Sequence, residues 1–357
     1  MATPQGAVSK LFFRPETTYG TDSIGAGSAS IGFLNYFDRV SVKSAKTPLD
    51  FGEISGLSTD FSAFEEGGID VGLDIEFAMR YYGAHIALIG LGMGTMVTTG
   101  TIPVITHAAT LQDALFSSTF KYQVPVTNNS TFNENILTGC SVQRMTLSHR
   151  AGDVMRCRLE MLASGLTYNS GSIATPPSAA GRTPTDPLIS WSHKENLATS
   201  TAVIRSGFSL VEINIRSWEV TLDNKLEPNF LIQTGRSGGQ PQRSDFREVR
   251  MRLEIEQNAG WREFLTAYGD SPTGTTSDFG VRLDYQSPTS ANEAFLVRVS
   301  NCRTLDVQRN TETAGKMYQQ VEMRGHFKSG STNFIPAPLE VTMNNTKDVP
   351  YDEAPLG

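Results

Sequence analysis

The chain has 357 residues, a length that suggests two domains of about 150 residues each. Hydrophobic residues make up 39% and charged residues 19%, which supports folded cores and excludes a largely disordered protein. A net charge of −7 argues against a protein that grips nucleic acid through its phosphates.

In chain order, MATPQGAVSK lacks the apolar run of a secretory leader. Residues 10–32 read as a short apolar anchor followed by a Gly/Ser/Thr-rich arm, and residues 33–42 as a strand. Residues 43–66 form a long connection carrying Leu49, Phe51, Ile54, Leu57, Phe61 and Phe64, apolar enough to pack against its own domain or a neighbour. Residues 69–77 then alternate strictly: Ile69, Val71, Leu73, Ile75 and Phe77 on one face, Asp70, Gly72, Asp74 and Glu76 on the other. This predicts a half-buried strand whose wet face is acidic. Tyr82, Ile86 and Ile89 have the spacing of a short amphipathic helix, ended by Gly90, Gly92 and Gly94. Glycines interrupt the apolar run of residues 84–97, which is too short to span a bilayer, so no membrane insertion is expected.

Residues 100–114 read as irregular, 116–126 as a strand and 137–162 as a hairpin. Four prolines among small polar residues mark 169–190 as a linker. In SLVEINIRSWEVTLDN the apolar parity flips between Ile215 and Trp218, which predicts two strand segments separated by a bulge. Residues 248–256 alternate again, with Val249, Met251, Leu253 and Ile255 opposite Glu248, Arg250, Arg252, Glu254 and Glu256. Trp261, Phe264, Leu265 and Tyr268 follow at helical spacing. Residues 334–357, with four prolines and no helical period, read as an extended C-terminal arm.

Two of these units recur. Val71, Leu73, Ile75 and Glu76 match Val249, Met251, Leu253 and Glu254 at an offset of 178; Cys140, Met155, Glu160 and Met161 match Cys302, Met317, Glu322 and Met323 at 162. Two elements repeated in the same order suggest an internal duplication. The expected organisation is a first domain over 1–168, a linker over 169–200, a second domain over 201–333, and the arm.

No phosphate-binding, dinucleotide, zinc-protease or serine-hydrolase motif is present, and no CxxC. The five histidines are dispersed, and the acids on residues 69–77 have no nucleophile or base beside them, so neither an enzyme nor a metal or other cofactor is expected. Three cysteines without a close pair are expected as core thiols in a reducing compartment.

PETTYGTD (residues 15–22) resembles the N-terminal signature of tail tube proteins of long-tailed bacteriophages. The order that follows is similar too: amphipathic strand, short helix ending in a glycine-rich apolar segment, then a Gly-Cys-x-Val hairpin at residues 139–142. The resemblance implies a mainly β fold of two tandem tail-tube-like β-sandwich domains, each with one short helix. Six such folds would form a ring whose lumen is a β-barrel shared across subunits, hence three chains per pseudo-hexameric ring. Double-stranded DNA would pass through without specific binding, with Asp70, Asp74, Glu76, Glu248, Arg250, Arg252, Glu254 and Glu256 facing the channel. Arg250 and Arg252 are expected to pair with Glu248 and Glu254. The resemblance further implies ring-on-ring stacking through residues 43–66 and contacts from arms 1–32 and 334–357. Tail terminator, tape-measure and tail-tip proteins are the expected partners, with assembly in the host cytoplasm and a final place in the virion tail. Two other readings fit less of the chain: another ring-forming virion component (head–tail joining, terminator or head decoration), and a β-sandwich carbohydrate-binding module using Trp218 and paired acids.

Overall fold

The computed structural model describes residues 9–24, 32–34, 37–50, 64–81, 83–101, 104–113, 116–127, 131–171, 188–189, 203–206, 209–212, 215–230, 238–256, 279–287, 290–309, 318–327 and 337–345. The fold is mainly β, with a single short helix among these residues. In chain order the first elements are β1 (Lys10–Pro15), β2 (Gly32–Leu34), β3 (Arg39–Asp50), β4 (Phe64–Ala78), α1 (Gly83–Met93), β5 (Met96–Thr101), β6 (Val104–Thr110), β7 (Ser118–Thr127), β8 (Thr131–Arg150), β9 (Arg156–Ala163) and β10 (Gly165–Gly171). They are followed by β11 (Val203–Ser206), β12 (Ser209–Glu212), β13 (Ile215–Asp223), β14 (Leu226–Asn229), β15 (Gly239–Arg243), β16 (Glu248–Glu256), β17 (Phe279–Gln286), β18 (Ala294–Arg309), β19 (Tyr318–Gly325) and β20 (Leu339–Asn345).

The two alternating strands form as their period dictates. In β4, Val71, Leu73, Ile75 and Phe77 are buried, and in β16 so are Val249, Met251, Leu253 and Ile255. At ~1.5–3 kcal/mol per buried large apolar side chain, these two faces are major contributors to the core. A register shift between Ile215 and Ser217 supplies the bulge that the parity flip predicts.

Among the described residues, eighteen strands join into one antiparallel network rather than two separate sheets. A polar-faced strip runs β3–β4–β9–β8–β13–β16–β19–β18. A second strip runs β12–β11–β17–β18–β20–β6–β5, and a third β2–β1–β7–β8–β10. The long strands β8 and β18 each belong to two strips, changing partners at Cys140 and Cys302, both buried. The residue before each cysteine takes a left-handed conformation: Gly139 at φ 66° and Asn301 at φ 52°. Glycine adopts this without penalty, and asparagine tolerates it better than other side chains.

The pairing register recurs along the chain. Val42 faces Leu73 and Leu73 faces Met161; Val220 faces Met251 and Met251 faces Met323. The ladder of β8 with β9 slips by one residue at Gln143, and that of β18 with β19 slips at Leu305, 162 positions on.

Helix α1 departs from the amphipathic expectation. Ala84 to Met93 are buried on every side, because β6, β8 and β20 pack around it. Gly90 and Gly92 lie inside the helix rather than ending it; a Cβ at Gly92 would stand 3.3 Å from the Val142 side chain. Gly94, at φ 91°, is the C-terminal stop. Two residues from far along the chain satisfy the helix's last carbonyls: Asn224 Nδ2 donates to Gly92 O at 2.9 Å, and Arg247 Nη1 to Met93 O at 3.3 Å.

Three further expectations change. Residues 100–114 are not irregular throughout, since β5 and β6 form a hairpin there. At both ends of the connection at 43–66, residues 43–50 and 64–66 continue β3 and β4, which stay paired as far as Asp50 opposite Phe64, and beyond Val71 no other described strand joins them. Phe51, Ile54, Leu57 and Phe61 lie outside the described residues, as do Trp261 and the helix expected around it. Within the stretch expected as a C-terminal arm, Leu339–Asn345 is a core strand (β20) held between β18 and β6, with Leu339, Val341 and Met343 fully buried. The apolar alternation LEVTM is what buries it.

The PETTYGTD segment is fastened by two carboxylates, Asp22, which pairs with Lys121 at 3.2 Å, and Glu16. Glu16 accepts hydrogen bonds from Gly20 N–H (2.9 Å), the Ser117 and Thr119 hydroxyls (2.8 Å each) and Gly139 N–H (2.8 Å), tying the N-terminal turn to β7 and to the β8 corner.

Two outcomes test this core. Gly139→Ala adds a Cβ 2.4 Å from Ser164 Oγ at a positive φ, whereas Asn301→Gly relieves the positive φ at the cost of a buried side chain. We expect the first to lose more than ~1–2 kcal/mol in urea unfolding and the second to lose less. His85, buried in α1 and accepting Arg80 N–H through Nδ1 at 3.0 Å, is lowered from 6.5 to about 3 by burial and then by the Arg80 charge. The unfolded chain therefore takes up a proton that the folded chain refuses. Stability is full above pH 6.5 and falls towards pH 3 by up to ~1.4 kcal/mol per pH unit. Urea unfolding at pH 7 and pH 4 should show a smaller loss for His85→Gln than for the unchanged chain.

Candidate functional site

Cross-strand neighbours point to the same side of a sheet, so the register decides which side chains share a face. One row across the polar strip reads Arg39, Glu76, Arg158, Thr146, Thr221, Arg250 and Arg324; the next reads Ser41, Asp74, Glu160, Arg144, Asp223 and Glu248. Alternation adds Asp70, Arg252, Glu254 and Glu256 to the same side. All eight residues singled out from the two alternating strands therefore lie on one face of one strip. Open hollows of about 550 and 620 Å³ run along it, lined among others by Glu76, Arg144, Arg158, Glu219, Arg252 and Glu254.

This face is not an acidic wall. The acids of β4 meet the arginines of β9: Arg158 contacts Asp74 at 2.9 Å and Glu160 at 3.0 Å, while Arg156 pairs with Asp38 and approaches Glu76 at 4.0 Å. Asp74 is 5% exposed and receives both Nε and Nη2 of Arg158. That grip holds the Arg158 guanidinium above its ordinary range, the Asp74 hydrogen bond being the largest cause. Across the joint of β8 and β13, Arg144 reaches Asp223 at 3.4 Å and Glu160 at 3.8 Å. Lys225 holds Asp223 at 2.9 Å, and the resulting hydrogen bonds lower that carboxyl against the opposing effect of its burial.

In β16, Arg250 contacts Glu248 at 2.9 Å, as expected, and also Glu322 at 3.3 Å. Arg252 instead takes Glu322 at 3.2 Å; Glu254 is held by Arg216 at 3.1 Å and by the Ser217 hydroxyl at 3.0 Å. Pairing of Arg252 with Glu254 therefore gives way to pairing across the ladder with β19. The partners missed in the sequence, Arg156, Arg158 and Glu160, carry the same signal as their neighbours, since they stand at every second position of RCRLEM.

Trp218 offers no stacking face to a sugar. It is 3% exposed and donates Nε1–H to Tyr285 Oη at 2.6 Å, while Tyr285 Oη also lies 2.9 Å from His149 Nδ1. This buried trio joins β8, β13 and β17. Among the described residues no group of three or more His, Cys, Asp or Glu could hold a metal ion. The three cysteines are free and buried, and burial pushes the Cys140 and Cys157 thiols up, away from reactivity. No described helix is long and apolar enough to cross a membrane.

Removing the Arg158 guanidinium leaves Asp74 buried without its charge partner. Arg158→Ala should therefore lose ~1–3 kcal/mol in urea unfolding, and adding Asp74→Asn should return part of it. A double-variant loss equal to the sum of the losses of Arg158→Ala and Asp74→Asn measured singly would show that the pair is uncoupled.

No curated protein matches the chain significantly. A family model described as phage tail tube protein matches residues 6–311, which takes in the PETTYGTD turn, the helix, and every strand of the polar strip except β19. The chain therefore belongs to the phage tail tube protein family, a non-enzymatic structural component of the virion tail whose members polymerise.

Proposed function

We propose that the chain carries two tail-tube units and closes, as three copies, into a pseudo-hexameric ring of the tail tube. The observation that carries this is the recurring register. β3, β4, β9 and the end of β8 have the same order and pairing as β13, β16, β19 and the end of β18. The slips at Gln143 and Leu305 and the left-handed corners at Gly139 and Asn301 fall at equivalent places. The first unit takes residues 1–168 and the second 201–333, with 169–200 between them. β20, from the 334–357 segment, then stitches the second unit back to β6 of the first.

In this reading the polar strip is the lumen wall, with Asp70, Asp74, Glu76, Glu248, Arg250, Arg252, Glu254 and Glu256 facing DNA. Arg144, Arg156, Arg158, Arg250, Arg252 and Arg324 are engaged by carboxylates, so most of its cationic charge is compensated before it meets phosphates, and a duplex moves past without being held. The outer part of the β3–β4 hairpin, with Leu49 and Phe64 on its strands, supports a role for residues 43–66 in stacking one ring on the next. Terminator, tape-measure and tip proteins would bind the ends and interior of the resulting tube.

Negative-stain microscopy with light-scattering mass tests the assembly. Rings or hollow tubes built from units of three 38.9 kDa chains are expected. Six-chain rings would retain the tube and remove the two-unit reading, and a monomer that never assembles on concentration would overturn both.

A further inference from the structure

The joint between the two units inside one chain is a template for the joint between chains. There, β8 and β13 pair antiparallel, with Leu147 opposite Val220, Thr146 opposite Thr221, Met145 opposite Leu222 and Arg144 opposite Asp223. The counterpart of β13 is β3, 178 residues earlier, and the counterpart of the end of β8 is the end of β18, 162 residues later. Both counterparts are edges of the polar strip: among the described strands, β3 pairs only with β4, and residues 303–309 of β18 only with β19.

We propose that β3 of one copy pairs antiparallel with the end of β18 of the next, in the register of the internal joint. Val42 then stands opposite Arg309, Lys43 opposite Gln308, Ser44 opposite Val307 and Ala45 opposite Asp306. This deepens the ring reading and rests on it, because it names the two edges that meet and the alignment they adopt.

Exposure supports the assignment. Thr221, Leu222, Asp223 and Asn224 are half-buried or buried, whereas their counterparts Lys43, Ser44, Ala45 and Lys46 are exposed on both faces of the strand. Asp306 and Gln308 are exposed on the other edge. A strand uncovered on both faces and along one edge is a pairing site, or else an aggregation liability. A second copy fits because it supplies the matching edge, in the matching direction, with one acid near the lysine of the other edge. Internally, the Arg144–Asp223 ion pair crosses the joint at 3.4 Å. Between copies Ala45 cannot make that pair, but Lys43 lies diagonal to Asp306, within reach of a long side chain.

The register is read by disulfide trapping in the full chain, whose native cysteines are buried. Lys43→Cys with Gln308→Cys, Ser44→Cys with Val307→Cys, and Ala45→Cys with Asp306→Cys place the new thiols face to face. Neighbouring pairs alternate between the wide and narrow spacing of an antiparallel ladder, so the set samples both. Lys43→Cys with Asp306→Cys, and Ala45→Cys with Gln308→Cys, are slipped by two residues and too far apart for a bond. After mild oxidation of assembled protein, at least one facing pair should give intermolecular cross-links at about tenfold the yield of either slipped pair, in covalent sets of no more than three chains. Rings or tubes that cross-link best through a slipped pair, or through none, would overturn the register and leave the ring reading standing. Single-cysteine controls that never assemble would overturn the ring reading and the register with it.

Discussion

An unpaired strand edge exposes a row of amide and carbonyl groups, and where those groups go decides the architecture of this chain. Strands β8 and β18 are the device. Each is long enough to serve two strips, and each changes partners at a left-handed residue followed by a buried cysteine. A flat strand cannot turn such a corner without strain, and glycine or asparagine is the cheapest residue to place there. The small, apolar cysteine side chain then fills the inside of the bend. One corner thus lets a single strand contribute to the apolar interior and to the polar face.

The corners also explain why the two halves do not behave as beads on a string. β8 hands its far end to β13, and β20 returns to lie beside β6, so strands from both halves are joined into one network at these two places. Side chains reinforce the same union. Asn224 bridges the carbonyls of Gly92 and Val142, Arg247 reaches the end of α1, and His149, Trp218 and Tyr285 share one buried hydrogen-bonded cluster. The end of the helix is thus held both by Gln112 N–H on the Met93 carbonyl and by groups from beyond residue 220.

Period-two alternation was legible wherever one face is apolar and the other charged, as in β4 and β16, and the parity flip beside Trp218 located a bulge. The hairpin β5–β6 was not legible, because MVTTGT and VITHAAT are built from Thr, Ala and Gly, whose pattern separates core from surface poorly. β20 was hidden by flanking prolines that read as an arm, although its own LEVTM alternates cleanly. The helix misled differently: its spacing suggested one apolar stripe, yet glycine and alanine on the remaining positions allow close approach from every side, and the sheet surrounds it. On the polar face the residues were legible and their partners were not. An acid on one strand says nothing of the arginine that register places beside it.

That last gap changes the electrostatic argument. Taken strand by strand, β4 presents acids alone, which suggests a wall that repels phosphates. Taken across the ladder, Arg158, Arg144 and Arg250 each touch two carboxylates, and Glu248 lies within 4 Å of Lys225, Arg250 and Arg324. Charges paired this closely compensate one another, and beyond a Debye length of about 10 Å at moderate salt their residual field is small. A wall of this kind neither binds a polyanion nor relies on net charge to exclude it. In the lumen proposed for this face, passage follows from most of the arginines being already held by carboxylates. The carboxylates are then as much anchors for arginines as they are repellents of DNA, and the arginines in turn hold adjacent strands in register. The lattice that keeps the wall inert is the lattice that keeps the strip aligned.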